Sequence, residues 1–374
     1  MSDKSSEPAR LVSLDQFRGY TVLGMFLVNF AGSFAAIKEF APVLCHHHTY
    51  FSYADSIMPQ FFLAVGFAYR LTFLRRAEAS GKAAAYRHTL KRNLGLILVG
   101  FVVHHLDGRF ETFTRLEEVG VGGVVSTAFQ RSFFQALTHI GVTSLWIMPV
   151  IAARPRWRIG YAVASGVAFH LLSVYGYYGW VLKRPGIDGG PLGFLTWTIP
   201  LIAGTLAHDA LSAIGRFNLG RLFCGGLFLM ILGYGLSCLN LVTPPNSVSG
   251  ETTWTAFVNE PPFVPPTHPT NIWTMSQRAG SVTYLTFGAG FALAVLSLFV
   301  VACDRGPLRI GIFRTLGTNA LVGYILHDLV NDAVKPFFPK DSPLWYVMTG
   351  FGVSLAICYL FLRSLEKQRL FLKL

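Results

Sequence analysis

The sequence predicts an all-α fold, a polytopic transmembrane helical bundle of about ten spans. Of the 374 residues, 52% are hydrophobic and only 13% are charged, whereas a soluble domain carries roughly 25% charged residues. Most of the surface therefore faces something other than water. A membrane helix needs about 20 mostly apolar residues, and ten stretches come close to that length. They are 16–37, 56–74, 93–107, 132–152, 158–180, 192–208, 219–242, 281–303, 315–334 and 343–362.

We interpret these spans as a single transmembrane domain over 1–374. Residues 1–12 are a polar N-terminal segment in which no small-residue cleavage site precedes Leu11, so the first span is expected to be its own insertion signal. The longest loop, 243–280, is rich in proline and therefore predicted to be extended or irregular.

The lysines and arginines predict the orientation of the chain. With ten spans and a cytoplasmic N-terminus, nine of the 31 Lys and Arg residues fall outside and the other 22 inside. The nine are Lys38, Arg109, Arg115, Arg131, Lys183, Arg184, Arg278, Lys335 and Lys340. This excess follows the positive-inside rule and places both termini in the cytoplasm. The net charge of +12 is thus explained by topology and attraction to anionic lipid, and no nucleic-acid partner is expected.

The first span begins with a polar turn. Ser13 and Gln16 have the spacing of a capping box, and Asp15 in the first turn suits the helix dipole. Arg18 follows three residues after Asp15 on the same face. Two interpretations stay open: a capped, ion-paired helix end, or a gate or anion contact near a cytoplasmic entrance.

A polar loop between the first two spans carries three consecutive histidines, His46 to His48. Adjacent residues of an extended chain point in opposite directions, so one or two of them can act on a given ligand. Histidine titrates near neutral pH, which favours a general base or a nucleophile. A metal site would need further ligands at a recognised spacing, and a histidine-rich surface loop is the remaining alternative. Asp55, at the start of the second span, could orient one histidine tautomer.

Other polar residues lie inside predicted spans. Asn29 should face the bundle, either to bond another helix or to donate to a developing oxyanion. Arg131 and Gln135 begin the fourth span, while Asn319 and His327 share one face of the ninth. Three spans with inward polar groups indicate a wet cavity, which is typical of transporters as well as enzymes.

The assembled pattern resembles the membrane family of heparan-alpha-glucosaminide N-acetyltransferase, in its bacterial type. The first motif is RLVSLDQFRG, followed by MFLVN ending at Asn29, a histidine-bearing loop, and YADSIMPQFFLAVG at 53–66. Weaker motifs follow as FQRSFFQ at 129–135, GGPLGFLTWTIP at 189–200 and LGTNALVGYILH at 316–327. The resemblance spans nearly the whole chain and is strongest in the first 66 residues.

The resemblance implies transfer of an acetyl group from cytosolic acetyl-CoA, as co-substrate, to an amino sugar or glycan on the far side of the membrane. It assigns the catalytic role to Asn29 and to a loop histidine, with His46 as the best match and His47 next. Asp55, from its position at the start of the second span, is the expected partner of that histidine. His327 matches a family histidine near the end of the domain. Asp15, Arg18, Arg131, Gln135 and Asn319 are the further candidates for binding substrate or co-substrate.

No metal is expected. The implied location is the bacterial inner membrane, with the lipid bilayer as a partner and a homodimer as one open assembly state. The alternative function is a secondary transporter, or a carrier of a glycan or lipid-linked substrate, without acyl transfer. Inverted repeats and helices broken at the midplane would favour that alternative.

Overall fold

A computed structural model describes residues 11–105, 112–130, 134–183, 188–212, 219–241, 258–267 and 269–372. Over these residues the chain is helical and forms no strand, which confirms the predicted fold class. The α-helices are α1 Val12–Ala31, α2 Ala35–Phe40, α3 Tyr53–Ser80, α4 Lys82–His105, α5 Phe113–Gln130, α6 Ala136–Trp146, α7 Pro155–Leu172, α8 Tyr178–Leu182, α9 Phe194–Ser212, α10 Leu219–Ser237, α11 Val282–Phe299, α12 Gly311–Thr318, α13 Ala320–Val334 and α14 Leu344–Lys367.

Six helical stretches in the described ranges are long and apolar enough to cross a membrane. They are Tyr53–Ser80, Pro155–Leu182, Gly190–Ser212, Leu219–Asn240, Val282–Arg305 and Leu344–Lys367. Two of them continue through a π-helical turn, at Ser173–Tyr177 and at Val300–Arg305. The membrane character is thus confirmed, while the count of ten and the orientation of the termini stay predictions.

The contacts divide the chain into two compact units. The terminal unit consists of Met1–Phe40 and Ala294–Lys373, and the central unit of Ala41–Leu293 with the last residue. The boundary falls within α11. The prediction of one domain over the whole chain is not tested by this division.

Glycines bring α1 and α12 together in the terminal unit. A β-carbon at Gly19 would lie 1.7 Å from the carbonyl oxygen of Phe313, and one at Gly317 would lie 2.1 Å from the carbonyl oxygen of Asp15. No larger residue fits either position without moving backbone. Small residues permit this close approach because they leave the helix surface open, and it is a common source of helix pairing in lipid.

Glycines also bring α3 and α9 close together in the central unit. A β-carbon at Gly66 would lie 1.9 Å from the carbonyl oxygen of Leu201, and one at Gly204 would lie 2.0 Å from that of Leu63. Next to this contact the ring of Trp197 stacks on Phe62. These contacts fix α9 against α3, the helix that begins at Asp55.

A partly buried ion cluster joins α3, α7 and α9 within the central unit. Asp209 accepts hydrogen bonds from Arg70 and Arg158, and Arg158 also donates to the hydroxyl of Thr205. His208 Nδ1 lies 3.2 Å from Asp209 Oδ1. The carboxylate offsets the buried charge of the guanidinium groups, as pairing requires in a medium of low dielectric constant.

Two local sequence predictions are wrong. The N-cap of α1 is Leu11, without a side-chain capping bond, because Ser13 donates to Asp304 and Gln16 pairs with the backbone of Ile310. The ninth span is also broken at Asn319, where the backbone leaves the helical region at φ −122° and ψ 45°. Tertiary hydrogen bonds override the local pattern in the first case.

Candidate active site

Asp55 is held in place by the start of α3. Its backbone N–H donates to the hydroxyl of the N-cap residue Ser52, and its Oδ2 accepts from the Ser52 N–H at 3.1 Å and from the Ser52 hydroxyl at 2.7 Å. This is a capping box with an aspartate in the reciprocal position. The Tyr284 hydroxyl donates to the carbonyl oxygen of Asp55 at 2.7 Å. The Asp55 carboxylate is therefore buried and fixed.

The second carboxylate oxygen faces the histidine loop. His46 Nδ1 lies 2.9 Å from Asp55 Oδ1, and the His46 side chain is 42% exposed while that of Asp55 is fully buried. A carboxylate on Nδ1 selects the tautomer that carries its proton there. That tautomer leaves Nε2 as a free base or nucleophile, the arrangement found in histidine-dependent acyl transfer.

The surroundings of His46 favour its protonated form. Removal of the ring from water lowers its pKa, but the hydrogen bond to Asp55 and the charge of that carboxylate outweigh this effect. Asp188 and Gln277 act in the same direction, so the pKa of His46 is raised above its ordinary value of 6.5. The base is therefore stronger than a free imidazole.

The neighbouring histidines have other surroundings. His47 donates through Nε2 to the carbonyl oxygen of Pro42 at 2.8 Å, and its ring stacks on Tyr50 with centroids 4.2 Å apart. Burial and the nearby charge of Arg278 lower the pKa of His48. His46 is thus the member of the run whose side chain meets Asp55.

Two residues that sequence reasoning missed lie beside His46. Asp188 is 1% exposed, and its Oδ1 accepts a hydrogen bond from Gln277 Nε2 at 3.3 Å. Burial raises the pKa of Asp188 to about 7, against the opposing influence of His46 and Gln277. The signal available in the sequence is an acid inside the glycine- and proline-rich segment 183–193.

The terminal unit pairs Asn29 with His327, two candidates that the sequence offered separately. Asn29 Nδ2 lies 2.8 Å from His327 Nε2, and His327 Nδ1 donates to the carbonyl oxygen of Tyr324. With its proton on Nδ1, His327 accepts from the Asn29 amide at Nε2. Lys335 Nζ donates to the Asn29 carbonyl oxygen at 2.7 Å. One N–H and the side-chain oxygen of Asn29 are left for other partners.

A cavity of about 600 Å³ opens at the other end of α1, also within the terminal unit. Its lining residues are Val12, Asp15, Gln16, Arg309, Ile310, Gly311, Arg314, Thr318, Glu366, Arg369 and Phe371. Arg314 Nε lies 3.0 Å from Glu366 Oε1, whereas Arg309 and Arg369 form no ion pair within the described part of the chain. Two guanidinium groups are thus available to an anion.

The remaining predicted site residues are dispersed. Asn319 is tied to the C-terminal segment, because its Nδ2 donates to the Leu370 carbonyl oxygen at 3.1 Å. Gln135 is the N-cap of α6. Arg18 lies half-buried on α1, and Arg131 lies outside the described residues. No cluster of three metal-ligating side chains occurs among the residues that could be searched.

Comparison with known proteins finds a family that the first part of the chain is similar to. Residues 10–177 match the family described as heparan-alpha-glucosaminide N-acetyltransferase, catalytic. Over residues 10–177 this match confirms the resemblance drawn from the motifs. The matched range contains Asn29, His46 and Asp55 and ends before Asp188. No curated protein matches the chain.

Proposed function

We propose, from this family match over residues 10–177, that the chain is a membrane-embedded acyltransferase of the bacterial inner membrane. It moves an acetyl group from cytosolic acetyl-CoA to the amine of an amino sugar or glycan on the outer face. The observation that carries the proposal is the contact of His46 Nδ1 with the buried Asp55 carboxylate at 2.9 Å. A histidine held in this way can act on an acyl group through Nε2.

The cavity at the end of α1 is the proposed entrance for the donor. Acetyl-CoA carries several phosphates, and guanidinium groups bind phosphate through paired hydrogen bonds. Arg309 and Arg369 supply such groups on the side of the membrane that the charge distribution predicts to be cytoplasmic. From Asp15 to Asn29 the axis of α1 rises about 21 Å, at about 1.5 Å per residue. The long arm of the co-substrate suits such a distance.

The family resemblance implies a catalytic role for Asn29. One of its amide hydrogens is used by His327 Nε2, which fixes the plane of the amide. The other can donate to an oxyanion, one of the two roles that the sequence left open for this amide. One such donor is worth about 3 kcal/mol in the transition state.

His46 has two chemical routes. As a nucleophile, Nε2 attacks the thioester carbonyl, the C–S bond breaks, and CoA leaves as a thiolate that takes up a proton. The acceptor amine then attacks the acetyl-imidazole, the C–N bond to the ring breaks, and the amine proton leaves through the freed imidazole. As a general base, Nε2 takes the amine proton while the amine attacks the thioester directly; the C–S bond then breaks, and the protonated imidazole gives its proton to the departing CoA thiolate. Both routes return His46 to its starting state.

The test uses purified protein in lipid nanodiscs with radiolabelled acetyl-CoA and glucosamine as the acceptor amine. We expect acetyl-glucosamine and CoA to form in equal amounts. His46→Ala should lower the rate by about 10²–10⁴-fold, the usual contribution of a general base. His48→Ala is the matched control from the same loop and should keep most of the activity, since its side chain is not held by Asp55. His47→Ala measures the second family candidate.

The outcomes separate the routes and the alternative function. Label on the protein after incubation without acceptor, absent in His46→Ala, would establish the covalent route. Full activity in a His46→Ala, His47→Ala double variant would refute the assignment. Uptake of a glycan without CoA release would instead identify a carrier.

A further inference from the structure

We propose that Gln277 recognises the acyl acceptor, with its Oε1 receiving a hydrogen bond from the attacking amine beside His46. The inference rests on the proposed acyl transfer and deepens it, because it names the residue that selects the chemical class of the acceptor. Gln277 lies beyond the family match at 10–177.

The first observation is an unused acceptor atom. Gln277 is 5% exposed, and its Oε1 is buried without a hydrogen-bond partner among the described residues. The same side chain lies close enough to His46 to favour the protonated imidazole. Since Asp55 occupies Nδ1, a hydrogen bond between the ring and Gln277 can form only at Nε2 of the protonated imidazole, and the neutral ring with its proton on Nδ1 leaves Oε1 without a donor. A buried carbonyl oxygen without a donor costs about 1–3 kcal/mol, so this atom is suited to a ligand that brings a donor.

The second observation is the anchoring of the amide. Gln277 Nε2 donates to Asp188 Oδ1 at 3.3 Å, and this bond determines which end of the amide faces His46. Asp188 is itself fixed, because its carbonyl oxygen accepts from Trp197 Nε1 at 2.9 Å. Its backbone has a φ of 63°, in the left-handed region. The orientation of Oε1 is thus set before any acceptor arrives.

The turn that carries Gln277 is rigid. The Ser281 hydroxyl donates to the Thr274 carbonyl oxygen at 2.7 Å, and the Gly280 N–H donates to the Gln277 carbonyl oxygen at 2.9 Å. A β-carbon at Gly280, whose φ is 61°, would lie 2.7 Å from the Cα of Gly189. The turns carrying Gln277 and Asp188 therefore touch through glycine backbone, which holds the two side chains in register.

This geometry distinguishes amines from alcohols. In the attacking state a primary amine has two N–H groups: one proton goes to His46 Nε2 as the new C–N bond forms, and the second N–H is free to donate to Gln277 Oε1. A hydroxyl group has a single proton, which His46 takes, so Gln277 Oε1 would stay unpaired and buried. A site built to receive a hydrogen bond discriminates strongly against a ligand that lacks the donor.

The experiment compares Gln277→Leu with the wild type and with Gln60→Leu. Gln60 is a second fully buried glutamine of the central unit, and its Nε2 donates to the Ser56 hydroxyl, so it controls for loss of a buried amide. Acetyl transfer is measured in nanodiscs with glucosamine and, as the hydroxyl counterpart, glucose. CoA release without acceptor is followed in parallel.

We expect Gln277→Leu to raise the KM for glucosamine about 10- to 100-fold, the value of one hydrogen bond to a charged or developing charged donor. The preference for glucosamine over glucose should narrow by a similar factor, while acceptor-free CoA release and the Gln60→Leu variant stay near wild type. If Gln277→Leu does not fold, Gln277→Asn retracts the oxygen by one methylene and should give the same direction.

Two results would overturn the inference alone: an unchanged KM and amine preference, or an equal loss of transfer and of acceptor-free CoA release, which would indicate a role confined to His46. A shift of the pH profile without a change in the KM for glucosamine would also overturn the inference alone. Failure of the wild type to acetylate any amine would overturn the proposed function, and the inference with it.

Discussion

Replacement of Asp188 by asparagine should stabilise the folded protein above neutral pH. Burial raises the pKa of this carboxyl from its ordinary 3.8 to about 7. The folded state therefore holds a proton that the unfolded chain has lost between about pH 4 and pH 7. Each tenfold change in proton affinity is worth 1.36 kcal/mol, so the ionised carboxyl costs the folded state about 4 kcal/mol above pH 7. Asparagine has nearly the same shape and is never ionised, so this cost is removed.

The sign of the effect defines the assay. A group whose pKa is raised in the folded state contributes its stability below the unfolded pKa and loses it as the pH rises through the folded value. The difference in melting temperature between Asp188→Asn and wild type should thus be small at pH 4.5 and grow until about pH 7. At about 1–2 °C per kcal/mol for a chain of this size, the plateau is about 4–8 °C.

The groups that face Asp188 are also titratable or polar. Asp188 interacts electrostatically with His46, Asp55 and Tyr284, and Gln277 Nε2 donates a hydrogen bond to its carboxyl group. The measurement is therefore repeated in a His46→Gln background, which removes the imidazole whose charge opposes the rise in the pKa of Asp188. A melting-temperature difference independent of pH, or a less stable Asp188→Asn protein at pH 8, would refute the reasoning.

Three further outcomes are expected. Gly204→Ala places a methyl group about 2.0 Å from the Leu63 carbonyl oxygen, and thermal unfolding in detergent should show a loss of about 1–3 kcal/mol; an unchanged melting temperature would contradict the close packing of α3 and α9. Arg309→Ala and Arg369→Ala should each raise the KM for acetyl-CoA several-fold and leave the KM for acceptor unchanged, as initial-rate kinetics would reveal, and equal effects on both substrates would argue against a donor site. Asp55→Asn should lower kcat by about 10²–10⁴-fold. It should also move the acidic limb of the pH–rate profile to lower pH, because Asp55 no longer raises the pKa of His46. An acidic limb that stays in place would show that Asp55 does not set the pKa of the catalytic base.

The helical fold and the pair of His46 and Asp55 could be predicted from the sequence because both depend on patterns over short stretches of the chain. Hydropathy predicts the helices, and the nine-residue separation of His46 and Asp55 allows both to be considered together. The choice among the three histidines could not be made in this way. It depends on the direction in which the loop presents each ring, and that direction is set by contacts such as the bond of His47 to Pro42.

The remaining contacts join residues that are far apart in the sequence. Gln277 and Asp188 are 89 residues apart, and Asn29 and His327 are 298 apart. Asn29 and His327 could be recognised as polar groups within predicted spans, whereas Gln277 and Asp188 were missed, and only tertiary packing selects the partners of all four. The capping box illustrates the same limit, since the Ser-x-x-Gln pattern at Ser13 is used for long-range bonds while an unremarked Ser-x-x-Asp at Ser52 forms the cap.

The two carboxylate oxygens of Asp55 have different partners: Oδ2 accepts from Ser52 in the cap of α3, and Oδ1 is hydrogen-bonded to the ring of His46. The ordering of the imidazole is therefore part of the folding of the helix, and its entropic cost is met before substrate binds. The coupling also runs in reverse. Any ligand or acyl group that prefers the Nδ1-protonated ring will strengthen the Ser52–Asp55 turn, so the amide protons of that turn will exchange more slowly with solvent. Backbone hydrogen exchange at the start of α3 is thus a reporter of the occupancy of His46 that requires no knowledge of the acceptor.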